Sequence, residues 1–252
     1  MRVVSFDDKH ACIEVGNEQR RITVMRILVV GAGAVGGYFG GQLLEAGCNV
    51  TFLVRPKRAA QLAETGLVIE SRLGDVTLKA PPTVQAHELH RYFDLVLLSC
   101  KAYDLDAAVD SFAAAVGPET AILPLLNGMR HVDVLDERFG AARVLGGQCL
   151  IAATLDDSGC IVHLNDSHLL TFGERDGNRS PRIDVIAQEI SRANFASRAS
   201  CVILLEMWEK WVFLATLAAP IWHLRFWKSA GLLLPGRVFH RDLNFLNERV
   251  AP

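Results

Sequence analysis

The residues with the clearest chemistry are Gly31-Ala-Gly33-Ala-Val-Gly36, which follow directly on the apolar run Ile27 to Val30. In a Gly-x-Gly-x-x-Gly turn the first glycine permits a tight strand-to-helix bend. The second lets main-chain amides approach a pyrophosphate, and the third lets the helix pack closely on its strand. The helix expected over Ala34 to Ala46 would present unpaired N–H groups and the positive end of its dipole to that anion. A glycine turn can be merely structural. Here a strand pattern precedes it and a helix pattern follows it, so Gly31, Ala32, Gly33, Ala34, Val35 and Gly36 are candidate cofactor-binding residues.

The second strand, Asn49 to Val54, bears on which dinucleotide is bound. An acid at its end would hold the ribose hydroxyls of NAD, whereas an arginine accommodates the 2′-phosphate of NADP. This chain has Arg55, then Lys57 and Arg58, and no acid there. That points to NADP(H), the alternative being a solvated basic loop. Two further polar groups stand where an open parallel sheet binds ligands, beyond the carboxyl ends of its strands. Lys101 follows the strand pattern Asp94 to Cys100, and Asn127-Gly128 follows Thr120 to Leu126.

The elements that must hold these groups alternate between strand and helix patterns, as a doubly wound α/β sheet requires. After Arg58 come a helix to about Thr65 and strand pieces at 67–71 and 75–79. The 94–100 strand, a helix over 105–116, the 120–126 strand and a helix over 132–139 follow. Strands are then expected at 144–154, 160–164 and 168–173, and helices dominate from Pro181. The expected division is an N-terminal extension (1–24), a Rossmann NADP-binding domain (25–195) and a partial helical substrate domain (196–252). Half of the 252 residues are hydrophobic and the net charge is −2, which gives no global basic bias toward nucleic acid. Six scattered cysteines without a Cys-x-x-Cys pair fit buried thiols in a reducing, cytoplasmic setting, and the histidines form no metal-ligand spacing with them. Residues 1–24 lack an apolar signal core, and Met25 is an alternative start. Trp211 to Trp222 is too short to span a bilayer and reads as a buried helix.

Six segments in register give the chain a more specific likeness. They are MRILVVGAGAVGGYFGG from Met25, FLVR at 52–55, LSCKAYD at 98–104, LLNGM at 125–129, GGQCLIAATL at 146–155 and EMWEKWVFLA at 206–215. The chain resembles the ketopantoate reductase (2-dehydropantoate 2-reductase) family over roughly residues 25–218. That family reduces 2-dehydropantoate to pantoate with NADPH, on the route to pantothenate and coenzyme A. The resemblance implies that Gly31 to Gly36 hold the pyrophosphate and Arg55 the 2′-phosphate. It places Lys101 and Asn127 near nicotinamide and substrate, and Ala152 along the cofactor cleft.

Lys210, in Glu206-Met-Trp-Glu-Lys-Trp, matches the family's proton donor. Without the motif it would be a helix lysine beside Glu209. Charge builds on the carbonyl oxygen of a 2-keto acid during reduction, and an ammonium within reach stabilises that oxygen and completes the alcohol. Burial beside Trp208 and Trp211 is expected to lower the pKa of Lys210. Leu214 and Ala218 stand where many members carry asparagines. The pattern fades after about Ala219, where a shifted reading frame or truncation is expected to have replaced the rest of the helical domain. A reductase of another 2-keto acid and a catalytically impaired NADP-binding remnant are the alternatives. A homodimer stays open.

Overall fold

An uninterrupted apolar run is what a strand covered on both faces requires. Arg26–Val30 is such a strand, β1, with Ile27, Leu28 and Val29 wholly buried. The computed structural model describes residues 24–229, with side chains through Leu217. Apart from Val24, residues 1–24 lie outside the described residues, as do residues 230–252. The chain continues through α1 (Ala34–Glu45), β2 (Asn49–Leu53), α2 (Pro56–Thr65), β3 (Leu67–Glu70), β4 (Val76–Leu78) and β5 (Thr83–Val84). It then forms β6 (Phe93–Leu98), α3 (Leu105–Phe112), β7 (Val116–Pro124), α4 (Arg130–Phe139) and β8 (Gly146–Leu155). Last come β9 (Ile161–Gly173), α5 (Pro181–Ile190), β10 (Ala196–Ala199) and α6 (Ile203–Ser229).

The first sheet has the order β5-β2-β1-β6-β7, with every pair parallel. The chain winds outward in one direction through β2 and β5 and in the other through β6 and β7. A crevice therefore opens beyond the carboxyl ends of β1 and β6. This is the expected Rossmann-type α/β architecture. The alternation of patterns did not, however, separate out a second sheet. Strand β9 runs antiparallel to β8 along its length, while β3 and β10 lie parallel to it on the other side and β4 extends β3. The strands expected at 160–164 and 168–173 are one strand, β9.

Helix α1 is the layer between the two sheets. A Cβ at Gly36 would overlap Ser99 and the Gly31 carbonyl, and one at Gly40 would overlap Phe52 and Val29 of the first sheet. On the other flank, Gly37 meets Ile161, and Gly41 meets Ile69 and Leu67, of the second sheet. Tyr38, Phe39 and Leu43 fill the space that this close approach encloses, and all three are wholly buried.

Helix α6 departs from the sequence expectation. Ile203 and Met207 are buried against Val132 of α4. Farther along, Trp211, Val212 and Phe213 are 41%, 57% and 47% exposed. Over Trp211 to Leu217, the part of that segment whose side chains are described, most residues are exposed, so the expectation of a buried helix does not hold there.

Replacing Gly36 with alanine must push the start of α1 away from Ser99 and the Gly31 carbonyl. The expected cost is about 1–3 kcal/mol of folding stability, as for other overpacked positions, readable as a lower urea midpoint. A stability equal to that of the parent protein would contradict the packing described.

Candidate active site

The crevice beyond β1 and β6 is a cleft of about 790 Å³. Its floor is the Gly31–Val35 turn, and its walls come from the segments after β2, β5, β6 and β7, with Ala153 and Leu155 of β8 closing one side. Gly31 has φ +94°, a backbone that a Cβ would strain. Its N–H donates to the Leu53 carbonyl at 2.9 Å, which fixes the turn to the end of β2. Ser99 Oγ backs the turn, 2.9 Å from the Val30 carbonyl and 3.2 Å from that of Gly31. A Cβ at Gly33 would meet nothing within 4 Å, so the space over the turn is open. Gly33 caps α1, no side chain among the described residues bonds to the free amides, and the first turn contains no acid. An uncapped, acid-free helix start facing an open cleft fits the pyrophosphate of a dinucleotide.

Arg58 braces this turn from below. Its Nε donates to the Ala32 carbonyl at 3.0 Å and its Nη1 to the Gly159 carbonyl at 3.1 Å. Across a trans peptide the C=O and N–H point opposite ways. A guanidinium holding the Ala32 oxygen therefore fixes the direction of the Gly33 amide. Among the described residues Nη2 of Arg58 is buried without a hydrogen-bond partner, and burial pushes the guanidinium's pKa down. The sequence shows Arg58 as one of the basic residues after β2 but not as a brace: besides Gln61, three residues on, its partners lie 26 and 101 residues away.

Arg55, at the end of β2, borders the same cleft and is 72% exposed. Its Nη2 donates to Asp104 Oδ1 at 2.8 Å. Lys101, also exposed, borders the cleft from the end of β6. Arg55 and Lys101 thus bring two cations to one mouth, and Asp104 adds an acid that the absence of one after β2 did not reveal.

Asn127 follows β7 and borders the large cleft. It also lines a narrow crevice with Gly128, Gln148, Met207, Lys210, Trp211 and Leu214. Lys210 is half-buried there, and its Nζ donates to the Cys149 carbonyl of β8 at 2.6 Å. Burial pushes its pKa below the ordinary lysine value. The direction is the expected one, but the expected neighbours contribute differently. Trp208 is 51% exposed, while Trp211 lines the crevice with the lysine.

Glu206, one helical turn before Lys210, fastens α6 to its surroundings. It accepts from Arg198 at 2.6 Å, Ser200 at 2.5 Å and Gln148 at 3.3 Å. Burial alone would raise this carboxyl, but the hydrogen bonds from Ser200 and Arg198 outweigh it and hold the group below its usual value. Only Gln148 among these donors is remote in sequence, and the EMWEK motif contained Glu206 without showing its task.

Ala152 stands in β8 beside Ala153, which with Leu155 lines the cleft. The β8–β9 register shifts between Ile151 and Ala153, and the Ala152 N–H donates to Asn165 Oδ1 at 3.1 Å.

The brace predicts how substitutions divide. Arg58→Met releases the Ala32 carbonyl and should weaken NADPH and NADH alike, by about tenfold for one lost charged hydrogen bond. Arg55→Ala should weaken NADPH alone. Fluorescence titration of both nucleotides distinguishes the two patterns, and a selective loss of NADPH in Arg58→Met would refute the bracing role.

Residues 27–177 match the family of ketopantoate reductases PanE/ApbA. The "Uncharacterized oxidoreductase YkpB" of Bacillus subtilis (strain 168) is 43% identical over 194 residues, which is 77% of this chain and 63% of that protein. A 2-dehydropantoate 2-reductase of Mesorhizobium japonicum is 27% identical over 207 residues, covering 74% of this chain and 63% of its own length. The crystal structure of 2-dehydropantoate 2-reductase from Geobacter metallireducens GS-15 is similar at a TM-score of 0.65 and 32% identity, over 70% of this chain and 58% of that one. The chain therefore spans less than two thirds of the length of these relatives. With its glycine turn at the switch point of a parallel sheet, it belongs to the ketopantoate reductase family of nicotinamide-dinucleotide-dependent oxidoreductases.

Proposed function

We propose that this protein reduces 2-dehydropantoate to pantoate with NADPH, in the cytoplasm, as a step toward pantothenate and coenzyme A. The observation that carries the reading is the position of Asn127, which belongs at once to the wall of the dinucleotide cleft and to the crevice holding Lys210. A keto acid at that junction would lie between the cofactor's place and an ammonium.

When bound, the nicotinamide supplies the hydride. The chain supplies the rest. The Gly31–Gly36 amides hold the pyrophosphate, and Arg55 with Lys101 attracts the 2′-phosphate. The amide of Asn127 orients the keto acid. Lys210 stabilises the charge that develops on the carbonyl oxygen and donates the proton that makes it a hydroxyl. The Cys149 carbonyl fixes Nζ through one of its three protons, which leaves the others for the substrate. Partial desolvation makes this ammonium a better acid than one in water.

A second reading, reduction of a different 2-keto acid, is favoured by Leu214, which presents an apolar side chain to the lysine crevice. A third is nucleotide binding without turnover. NADPH oxidation with ketopantoate and a panel of related keto acids, beside a nucleotide titration, separates the three. Turnover of ketopantoate supports the proposal, and binding without turnover of any keto acid overturns it.

Lys210→Ala should lower kcat by about a hundredfold or more while changing NADPH affinity less than about twofold. A proton donor is lost as the pH rises through its pKa. The basic limb of the parent kcat profile should therefore fall at a pH below the ordinary lysine value of 10.5 and be absent from the variant. Equal losses in kcat and nucleotide affinity would refute the role.

A further inference from the structure

The acid missing from the end of β2 reaches the same place from another strand. Asp104 ends the short turn after Lys101, and its carboxylate meets Arg55 across the mouth of the cleft at 2.8 Å, with both residues bordering that cleft. Asp104 precedes α3 but caps none of its amides. Among the described residues, Arg55 is the only hydrogen-bond partner of its carboxylate, and Asp104 is the only side-chain partner of Arg55.

We propose that Asp104 sets the choice between the two nicotinamide dinucleotides, lowering the affinity for a 2′-phosphate and favouring a 2′-hydroxyl. The inference rests on reading the cleft as a dinucleotide site. A carboxylate accepts a hydrogen bond from a ribose hydroxyl, but toward a phosphate dianion it offers only repulsion. If Arg55 turns to the phosphate, its ion pair with Asp104 is lost. If it holds both through different nitrogens, two anions crowd one cation. Either arrangement penalises the 2′-phosphate and spares the hydroxyl. Arg55 is 72% exposed and Asp104 31%, so solvent and salt moderate the effect without removing it. Arg55 and Lys101 still favour the phosphate, so Asp104 trims a preference that they create.

Adenosine 2′,5′-bisphosphate and AMP differ only in the 2′-phosphate and isolate the term. Both are titrated calorimetrically into the full chain and into Asp104→Asn, Asp104→Ser and Asp104→Glu, with NADPH and NADH as the complete ligands. The expected result is a preference for the 2′-phosphorylated member that rises about tenfold in the Asn and Ser variants and shrinks with added salt. The Glu variant, which keeps the charge, should stay near the parent. An unchanged or reduced preference in whichever neutral variant folds overturns the inference alone. A parent protein that binds none of the four ligands overturns the dinucleotide reading and the inference with it.

Discussion

The arrangement depends on how closely α1 can approach the strands on either side of it. A helix that meets two sheets at once needs backbone contact on two flanks, and any Cβ at Gly36, Gly37, Gly40 or Gly41 would hold one of them off. These glycines lower the helix's own propensity by about 1 kcal/mol each. Burial of Tyr38, Phe39 and Leu43 offsets that loss, each side chain contributing about 1.5–3 kcal/mol. The same closeness sets the start of α1 directly over the carboxyl end of β1, which is where its free amides must lie to meet an anion.

The cleft and the lysine crevice draw on both sheets and are joined at Asn127. The first sheet supplies the glycine turn, the basic mouth and the asparagine. The second supplies the Cys149 carbonyl that holds Lys210 Nζ, and the Gln148 amide that helps Glu206 fix α6. Contacts of Met207 and Ile203 with Val132 keep the start of α6 against α4, which follows the Asn127 turn. The lysine is therefore buried where α6 packs against β8, in a crevice that Trp211 also lines.

Features whose cause is local were legible in the sequence. Strands β1 and β6 show as apolar runs because they are covered on both faces, and the anion turn shows as spaced glycines, of which Gly31 has a positive φ and Gly36 no room for a Cβ. Strand β9 was read as two pieces because Asn165, Asp166 and Ser167 interrupt the apolar pattern where the β8–β9 register slips. Gly31 to Val35, Arg55, Lys101 and Asn127 border one cleft, and Asn127 with Lys210 one crevice. Arg58, Asp104 and the anchoring role of Glu206 escaped, since each depends on a partner at long separation, such as the 101 residues from Arg58 to Gly159.

The brace beneath the glycine turn also governs which positions are free to drift over evolution. Arg58 grips the main-chain oxygens of residues 32 and 159 and ignores what is attached to their α-carbons. At 159, however, the carbon itself is hemmed in by Gln61 and Arg58 and the backbone sits at φ +86°. The tip of the β8–β9 hairpin is thereby tied to the floor of the cleft. Its single hydrogen side chain is held, as that of Gly31 is, by a backbone with positive φ, although nothing in its immediate sequence would mark it so.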